Sequence, residues 1–393
     1  MTQLKVAHIT TISDSIHGLL LNQLLSIQEA GYEVVSISSP GAAVAAIETV
    51  GIRHIPVEMT RRMTPLADLA SLARLYRVMR REKIAIVHTH TPKPGLLGQL
   101  AARMAGVPMV VNTLHGFYFH DHMRPQQRRF YVELEKIAAR CSDIILSQNQ
   151  EDIETAIKEG ICTRQKIVYL GNGIDLTRFE PNRISPTVLQ AKRAELGIPH
   201  DVPVVGFVGR LAAKRKGFAD FMHAAKEIVG CMPSVRVLIV GDPDYGKPDS
   251  VLPSIAKDYG IENHCLFLGS RPNEELPELY ALMHILVLPS LFEGIPRVVM
   301  EASAMGVPTV ATNVKGNREA VADGKTGVLV SLGNVPELVS AITRLLTDMP
   351  LRAAMGQAAR CMAAERFDER AVFEKIKAEY RQLLGSRGFL FQT

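Results

Sequence analysis

The stretch ILVLPSLFEGIPRVVMEASAMGVPTVATN, residues 285–313, contains a complete strand–helix–strand unit. An apolar run at 285–290 has the length of a strand, Pro296 opens a helical segment at its favoured first-turn position, and a second apolar run follows at 308–312. Strands that are apolar at every position are buried on both faces, as in parallel sheets covered by helices. The stretch therefore predicts an α/β fold with parallel strands.

The same alternation of strand and helix continues along the chain in two series. The first half contains seven apolar runs of strand length: KVAHIT (5–10), EVVSIS (33–38), RHIPV (53–57), IAIVHTH (84–90), MVVNTLHG (109–116), DIILSQ (143–148) and KIVYLGNG (166–173). The second half contains six: VPVVGFVG (202–209), VRVLIVG (235–241), CLFLG (265–269), ILVLPS (285–290), PTVAT (308–312) and GVLV (327–330). Helical segments such as 19–30 and 95–105 lie between them, which predicts two doubly wound, Rossmann-like sheets.

A polar segment with four prolines interrupts the alternation at 175–203 and suits an interdomain connection with one short helix. We therefore expect an N-terminal domain of residues 1–178, a C-terminal domain of residues 179–368, and a last helix, 369–393, that packs back on the first domain. Ligands bind at the carboxyl ends of parallel strands. Two such domains facing each other would share one cleft, and two unrelated sheets with separate sites are the alternative.

The composition limits the class of protein. Of the 393 residues, 47% are hydrophobic and 22% are charged, which is typical of a globular protein and not of a disordered one. The apolar runs are shorter than the ~18 residues that span a bilayer, and the N-terminus enters a strand without a signal peptide. The five cysteines are odd in number and lack CxxC spacing, so we expect neither disulfides nor zinc. These features indicate a cytoplasmic protein.

Two carboxylates follow the strand at 285–290. Glu293 lies on the loop, and Glu301 lies eight residues later inside the helix. The N–H groups at a helix start favour an anion such as a diphosphate, and carboxylates accept hydrogen bonds from sugar and ribose hydroxyls. Together these features suit a nucleotide sugar. Taken singly, a solvated loop acid and a locally paired helix acid explain the two residues equally well.

Two cations follow the first strand of the second half, in VGFVGRLAAKRKGFADF (205–221). Arg210 comes directly after the strand, and Lys216 precedes the next helix. At the carboxyl end of a strand, such cations would neutralise phosphate charge and a departing diphosphate. The alternative is a solvated basic loop, an interpretation that suits Lys214 and Arg215 better than Arg210.

These motifs, in this order, resemble those of the family 4 glycosyltransferases of the GT-B fold, a retaining, metal-independent group that uses nucleotide-diphosphate sugars. The resemblance extends from about residue 5 to about residue 385. Its motifs are Glu-x7-Glu (Glu293 to Glu301), GRLxxxxKG (209–217), NGID (172–175), FLGS (267–270) and GNREAVADGKTGVLV (316–330). HTHTPKPGLLGQLAARMAGVP (88–108) and LHGFYFHD (114–121) resemble the subgroup that builds capsular, exopolysaccharide and O-antigen repeat units.

The resemblance implies a role for each matched residue. Arg210 and Lys216 would bind the donor diphosphate, and His115 would reach the transferred sugar. Glu293 would contact the hydroxyls of the donor sugar, and Glu301 would bind the ribose. The other implied donor-binding residues are Gly18, Arg271, Gly294, Ile295, Pro296 and Arg297.

Two departures from the family pattern affect the phosphate site. A Gly-Gly pair often follows the first strand in this family, whereas SDSIHGLL retains only Gly18. The spacing from Arg210 to Lys216 is one residue longer than the commonest form, so Lys214 and Arg215 are further candidates for the same role.

The histidines of the first half are candidates for the acceptor side. His88 and His90 point to the same face of one strand end, where they either line the acceptor site or pack in the core. His120 and Asp121 are candidates for activating the acceptor. The spacings of these histidines fall on a strand end and a loop and not on one helix face, so we expect no metal. The resemblance implies no resident cofactor, the nucleotide sugar being a substrate.

The segment 59–83 carries seven Lys or Arg residues against two acids, an excess equal to the +5 charge of the whole chain. Its leucines recur at helical spacing. The segment is therefore either a core-facing helix with a solvated charged side or a helix that docks on anionic lipid. The resemblance implies an undecaprenyl-diphosphate-linked sugar as acceptor at the inner face of the cytoplasmic membrane, which favours docking. No aromatic-plus-basic module indicates nucleic acid.

The sequence therefore predicts a glycosyltransferase that moves a sugar from a nucleotide-diphosphate sugar, here a UDP-sugar, to a lipid-diphosphate-linked saccharide. A UDP-sugar 2-epimerase on the same fold is one alternative, since it would share UDP binding but need no acceptor. A non-catalytic nucleotide-sugar-binding subunit is the other, and the intact set of Arg210, Lys216, Glu293 and Glu301 argues against it.

Overall fold

The structure, a computed structural model, describes residues 3–60, 62–120 and 123–387. The chain divides into two units. Unit 1 comprises the residues up to Gly171 together with those from Arg370 onwards, and unit 2 comprises Asn172–Glu369. The sequence placed the corresponding boundaries after residues 178 and 368.

Unit 1 is built on a seven-stranded parallel sheet. Its strands are β1 (Lys5–Ile12), β2 (Glu33–Ser39), β3 (Arg53–Pro56), β4 (Ile86–Thr89), β5 (Met109–Leu114), β6 (Ile144–Ser147) and β7 (Ile167–Tyr169). Their order in the sheet is β3-β2-β1-β4-β5-β6-β7. The helices between them are α1 (Ser13–Ser15), α2 (Leu21–Glu29), α3 (Val44–Thr49), α4 (Pro65–Glu82), α5 (Pro92–Ala105), α6 (Pro125–Cys141) and α7 (Gln150–Lys158).

Unit 2 is built on a six-stranded parallel sheet. Its strands are β8 (Val204–Val208), β9 (Arg236–Val240), β10 (Cys265–Phe267), β11 (Ile285–Leu288), β12 (Thr309–Thr312) and β13 (Gly327–Val330). Their order is β10-β9-β8-β11-β12-β13. The helices are α8 (Pro186–Glu195), α9 (Phe218–Cys231), α10 (Ile255–Asp258), α11 (Leu276–Leu282), α12 (Arg297–Ala304), α13 (Lys315–Ala320), α14 (Val335–Thr347) and α15 (Met349–Arg366).

The last helix, α16 (Glu369–Gly385), packs against the core of unit 1. It buries an apolar stripe at helical spacing that consists of Val372, Ile376, Tyr380 and Leu384. The Tyr380 ring is completely buried, and it lies edge-on to Tyr32 with ring centroids 5.9 Å apart. The sheet of unit 1 is therefore covered on this face by a helix from the other end of the chain.

The strand order reverses next to the first strand of each sheet. In unit 1, β1 lies between β2 and β4, and in unit 2, β8 lies between β9 and β11. At such a reversal the loops after the two central strands leave in opposite directions and open a crevice at the carboxyl edge, where ligands of doubly wound folds bind. The predicted class, two doubly wound parallel sheets, is confirmed.

Two helix starts differ from the sequence prediction. Helix α5 begins at Pro92 and not at 95, because proline is well tolerated in the first turn, where its missing N–H leaves no bond unmade. The helix predicted from residue 19 becomes a π-helical segment, Ile16–Leu20, followed by α2. Within the described part of the chain, no helix has both the length and the apolar composition needed to cross a bilayer.

Candidate functional site

Lys216 and Glu293 meet at the reversal point of unit 2. Lys216 lies on the loop after β8, Glu293 lies on the loop after β11, and these two strands are neighbours. The Lys216 ammonium donates to Glu293 Oε1 at 2.6 Å, and both side chains are largely enclosed. The structure therefore brings together a predicted diphosphate-binding cation and the predicted sugar-binding carboxylate.

A chain of hydrogen bonds fixes the backbone around Glu293. Ser290 Oγ donates to Glu293 Oε1 at 2.7 Å, and the Ser290 carbonyl accepts from the Thr312 hydroxyl. Asn317, completely buried at the start of α13, donates to the Thr312 carbonyl at 2.9 Å. These contacts tie the loop after β11 to the loop after β12, so the position of the carboxylate is set by the sheet.

Two glycines allow the loops of this site to approach each other. A Cβ at Gly217, whose φ is +63°, would lie 1.8 Å from the Pro289 carbonyl oxygen. A Cβ at Gly316 would lie 1.7 Å from the Gly294 carbonyl oxygen. Backbone atoms cannot yield to contacts this short, so both positions require glycine.

Helix α12 begins directly after this loop. Pro296 is the residue before its first turn and not the first helical residue as predicted, because its extended ψ of 115° lies outside the helical range. Ile295 is buried, and Arg297 is the first residue of the helix. The Lys216 ammonium lies beside Glu293, on the loop that leads into α12, where the sequence predicts an anion site.

Glu301 is almost completely buried on α12. Its Oε2 accepts from the Tyr280 hydroxyl at 2.8 Å, and its Oε1 lies 3.8 Å from Arg297 Nε. Burial raises the pKa of the Glu301 carboxyl, and the nearby Arg297 charge opposes that rise. The carboxylate is therefore held in one orientation by a hydroxyl and a guanidinium, and its environment is the locally paired one that the sequence left as an alternative.

The other predicted cations of unit 2 have separate partners. Arg210 lies 3.3 Å from Asp244, which follows β9. Arg271 pairs with Glu275 at 3.6 Å on an exposed turn. The Arg215 guanidinium lies 5.4 Å from the centroid of the ring of Phe292, the residue before Glu293. Lys214 is exposed.

Sequence reasoning missed three polar residues of unit 2 that hold the predicted ones. They are Asp244, Ser290 and Tyr280. Asp244 and Ser290 follow the apolar runs of β9 and β11, so their position at the carboxyl edge was a usable signal. Tyr280 is inside α11 within an apolar stretch, and nothing in the sequence distinguishes it from a core residue.

In unit 1, the predicted histidines gather at the reversal point of the first sheet. His88 on β4 is completely buried, and its ring nitrogens lie 2.6 Å from the Tyr380 hydroxyl and 2.7 Å from Thr113 Oγ1. His90 is also buried, 2.9 Å from His8 of β1. Of the two predicted interpretations, packing in the core describes His88 and His90, because neither ring reaches the surface.

The remaining predicted residues of unit 1 lie near the ends of its strands. His115 follows β5, is partly exposed, and lies 3.3 Å from His90. His120 is partly buried on the loop that follows, and Asp121 lies outside the described residues. Gly18 lies in the π-helical segment, where a Cβ would have no atom within 4 Å, so neither its conformation nor its surroundings require glycine.

The basic segment 59–83 forms α4 and the loop before it. Leu75 and Met79 are buried, as a core-facing helix predicts, but Leu66 and Leu69 near its start are 87% and 64% exposed. The described arginines of this segment are all exposed: Arg62, Arg74, Arg77, Arg80 and Arg81. Arg61 lies outside the described residues. One side of the helix thus packs on the core, and the opposite side presents exposed leucines together with the exposed arginines.

One partly buried carboxylate of unit 1 was not predicted. Glu135 of α6 borders a small internal cavity together with Gln99 and Asn112. Burial, with a smaller contribution from the negative charge of Asp152, raises the pKa of Glu135 to about 7. Its sequence position on an amphipathic helix gave no sign of this, because the cavity is formed by residues from several elements.

Comparison with known proteins finds two family models on this chain. The model described as glycosyl transferase 4-like matches residues 8–149, and the model described as glycosyl transferases group 1 matches residues 189–362. The matches fall one in each unit of the structure.

Two relatives and one solved structure illustrate the similarity. The Escherichia coli UDP-Gal:alpha-D-GlcNAc-diphosphoundecaprenol alpha-1,3-galactosyltransferase is 34% identical over 295 residues, which cover 75% of this chain and 74% of that protein. The Staphylococcus aureus capsular polysaccharide biosynthesis glycosyltransferase CapM is 28% identical over 98% of both chains. The structure of Anabaena Alr3699/HepE in complex with UDP-glucose has a TM-score of 0.82 and 24% identity, over 97% of this chain and 100% of that one.

Proposed function

Because this chain belongs to the family 4 glycosyltransferases, in the subgroup of capsule and O-antigen synthesis, we propose that it transfers a sugar from a UDP-sugar to a lipid-diphosphate-linked saccharide. The family and the GT-B fold class predicted from the motifs are confirmed, and the protein is a glycosyltransferase that uses a nucleotide sugar. The UDP donor, the lipid-linked acceptor, retention of configuration and independence of a metal ion are the proposal.

The observation that carries the proposal is the pair of Lys216 and Glu293 at the reversal point of unit 2. A diphosphate at the start of α12 would meet the Lys216 ammonium and the positive end of the helix dipole. Glu293 would then lie beside the sugar, where its carboxylate accepts hydrogen bonds from hydroxyls. Glu301, further along α12, would bind the ribose, with Tyr280 fixing its orientation.

These groups suit cleavage of the bond between the anomeric carbon and the phosphate oxygen. The electron pair of that bond passes to the leaving phosphate, so positive side chains that neutralise this oxygen lower the barrier. Arg210 and Lys216 would supply that charge, which supports a reaction independent of a metal ion. The acceptor hydroxyl would attack from the same face, pass its proton to the leaving phosphate oxygen and retain the configuration. His115 would contact the transferred sugar.

The proposed acceptor follows from a relative and from the surface of unit 1. The name of the Escherichia coli relative gives a GlcNAc linked to diphosphoundecaprenol as its acceptor. On this chain, Leu66 and Leu69 are exposed on a helix that carries four exposed arginines: Arg74, Arg77, Arg80 and Arg81. Apolar side chains flanked by cations favour the surface of an anionic bilayer, and we propose that α4 docks the protein on the cytoplasmic face where a lipid-linked acceptor is found.

A panel of UDP- and GDP-sugars tests the donor and the acceptor together. Each donor is incubated with the protein and with lipid-diphosphate-linked GlcNAc, and the lipid product is analysed by mass spectrometry. We expect one UDP-sugar to add a single hexose mass and the GDP-sugars to add nothing. Lys216→Ala and Glu293→Ala are expected to abolish the product while both proteins remain folded. Normal turnover by either variant would contradict the assignment of the site.

Three further measurements address the finer parts of the reaction. The anomeric proton coupling of the product reports whether configuration is retained, and inversion would contradict the proposed mechanism. Turnover unchanged after treatment with EDTA is expected for a metal-independent enzyme, and loss restored by a divalent ion would contradict it. Incubation with donor alone distinguishes a 2-epimerase, since only an epimerase would convert the sugar without acceptor.

A further inference from the structure

Four histidines of unit 1 form a cluster at the carboxyl edge of its sheet. His8 on β1 and His88 on β4 are direct neighbours across the strand pair. His90 follows β4, and His115 follows β5. Three of the four rings are buried, and His115 is the partly exposed one. The cluster therefore extends from the core of the sheet to the residue that the proposed function places beside the transferred sugar.

Three of these imidazoles are joined by hydrogen bonds in sequence. His8 Nδ1 lies 2.9 Å from His90 Nε2, and His90 Nδ1 lies 3.3 Å from His115 Nε2. Burial lowers the pKa of His8 to about 3 and the pKa of His90 well below its ordinary value, so both rings are neutral. A neutral imidazole has one N–H and one lone pair. Each of the two bonds therefore needs one ring to donate and the next to accept.

The arrangement does not suit a metal site, although nitrogen atoms of His8, His88 and His90 lie within 4.8 Å of one another. Both nitrogens of His88 are already bonded to Tyr380 and Thr113. The His8 and His90 nitrogens that face each other are joined by the 2.9 Å hydrogen bond, and the other nitrogen of His90 is bonded to His115. A nitrogen that donates or accepts a hydrogen bond has no lone pair free for an ion, so a metal would have to break these contacts.

The hydrogen-bonded chain of imidazoles also gives a proton no way to leave at its inner end, which is His8. His8 Nε2 is buried and has no hydrogen-bond partner among the described residues. A proton that entered from His115 would stop there, on a ring that burial keeps neutral. The chain can therefore set the state of His115, but it cannot carry protons away from it.

We propose that His8 and His90 are positioning residues that hold the His115 ring in one orientation, with Nε2 as hydrogen-bond acceptor and the proton on Nδ1. The tautomer of a histidine is set by the hydrogen bond that its other nitrogen makes. The link to catalysis rests on the proposed role of His115. The hydrogen-bonded chain itself is independent of that role.

The direction of the chain follows from the unpartnered His8 Nε2. If that atom carried the proton, a buried N–H would have no acceptor. If it carries the lone pair, only an acceptor is left unfilled, which protein interiors tolerate more often than an orphaned N–H. His8 then donates from Nδ1 to His90, and His90 donates from its own Nδ1 to His115 Nε2.

A matched pair of amide substitutions at residue 90 tests the chain. His90→Asn keeps a polar atom near the Nδ1 position that faces His115, and His90→Gln keeps one near the Nε2 position that faces His8. Both variants replace a buried imidazole with a buried amide. We expect His90→Gln to lower kcat about 10-fold with KM for the donor unchanged, since one oriented hydrogen bond is lost. We expect His90→Asn to stay within about 3-fold of the native kcat.

The tautomer of His115 provides the readout that a merely structural role would not change. Nitrogen NMR of protein labelled at histidine, at a pH where exposed imidazoles are neutral, is expected to show the proton of His115 on Nδ1. The same state should persist in His90→Asn and become a mixture in His90→Gln. A proton on Nε2 in the native protein, or a spectrum unchanged by His90→Gln, would overturn the proposal.

Controls separate this proposal from simple loss of stability and from failure of the proposed function. His54→Gln changes another buried histidine of the same sheet, on β3, and is expected to leave kcat unchanged. If His90→Gln fails to fold, His8→Asn and His8→Gln form a second matched pair, since only Asn keeps the atom that faces His90. A His115→Ala variant with normal turnover would refute the role of His115 in transfer. The NMR spectra alone would then test the hydrogen-bonded chain of imidazoles.

Discussion

Removing one partner of the Lys216–Glu293 pair is expected to destabilise the protein more than removing both. Lys216→Met deletes the ammonium but keeps an apolar stem of similar length, and Glu293→Gln deletes the charge but keeps the shape. The native side chains are 17% and 12% exposed, and their charged atoms are 2.6 Å apart. Lys216→Met would therefore leave an enclosed carboxylate whose remaining described donor is Ser290.

The expected magnitude lies between two known limits. Exposed ion pairs contribute about 0–1 kcal/mol, and breaking a fully buried pair costs about 3–5 kcal/mol because one charge stays behind. With one hydrogen bond retained and some solvent contact, we expect Lys216→Met to cost about 2 kcal/mol. At about 2–4 °C per kcal/mol for a unit of this size, the melting temperature should fall by roughly 4–8 °C. The double variant should regain at least half of that loss, because no lone charge remains.

Thermal unfolding of the native protein, both single variants and the double variant gives the coupling energy directly. The matched control is the pair of Lys192 and Glu195 on α8, which lies in the same unit but has an exposed carboxylate. We expect a coupling of about 1–2 kcal/mol for the first pair and below about 0.5 kcal/mol for the control. Equal coupling in the two pairs would refute the conclusion that the site encloses its charges.

Three further predictions follow from other contacts. Tyr280→Phe removes the hydroxyl that orients the buried Glu301 carboxylate, so UDP affinity measured by calorimetry should fall about 10-fold or more; unchanged affinity would count against the ribose role. Glu135 has a folded pKa of about 7 against about 4.5 unfolded, so its contribution to stability is lost as the pH rises through this range. Glu135→Gln should therefore be more stable than the native protein above pH 7, by about 1–2 kcal/mol in denaturant unfolding, and equal stability would argue that the carboxyl is solvated. Leu66→Ser should weaken sedimentation with phosphatidylglycerol vesicles at low salt while Met349→Ser, an exposed control in unit 2, should not; native protein that fails to sediment would exclude docking through α4.

The sequence predicted the strands well because their signal is local. All thirteen apolar runs correspond to strands of the structure, and the predicted ends differ by a few residues where the apolar run continues into a loop. The site loops were also predictable, because Arg210, Lys216 and Glu293 each follow such a run. A residue next to a buried strand is placed at the carboxyl edge by the strand itself.

The partners of these residues were not predictable, because they depend on which strands are neighbours. Lys216 and Glu293 are far apart in the chain and meet since β8 and β11 pair. The histidine cluster needs three strands in register and a helix from the end of the chain. The exposure of Leu66 depends on which part of α4 the neighbouring elements cover, and the helical spacing alone does not fix that.

The position of α16 has a consequence for the order in which the two units fold during synthesis. Unit 2 is one continuous segment, whereas unit 1 is completed only by residues that follow unit 2 in the chain. On the ribosome, the core of unit 1 therefore stays incomplete until the whole of unit 2 has been synthesised. Until then His88 lacks its contact with the Tyr380 hydroxyl. Domains generally fold as they emerge, so nascent unit 2 can close before unit 1 does. The apolar face of the first sheet that α16 covers in the finished protein would then stay exposed until the last helix is made.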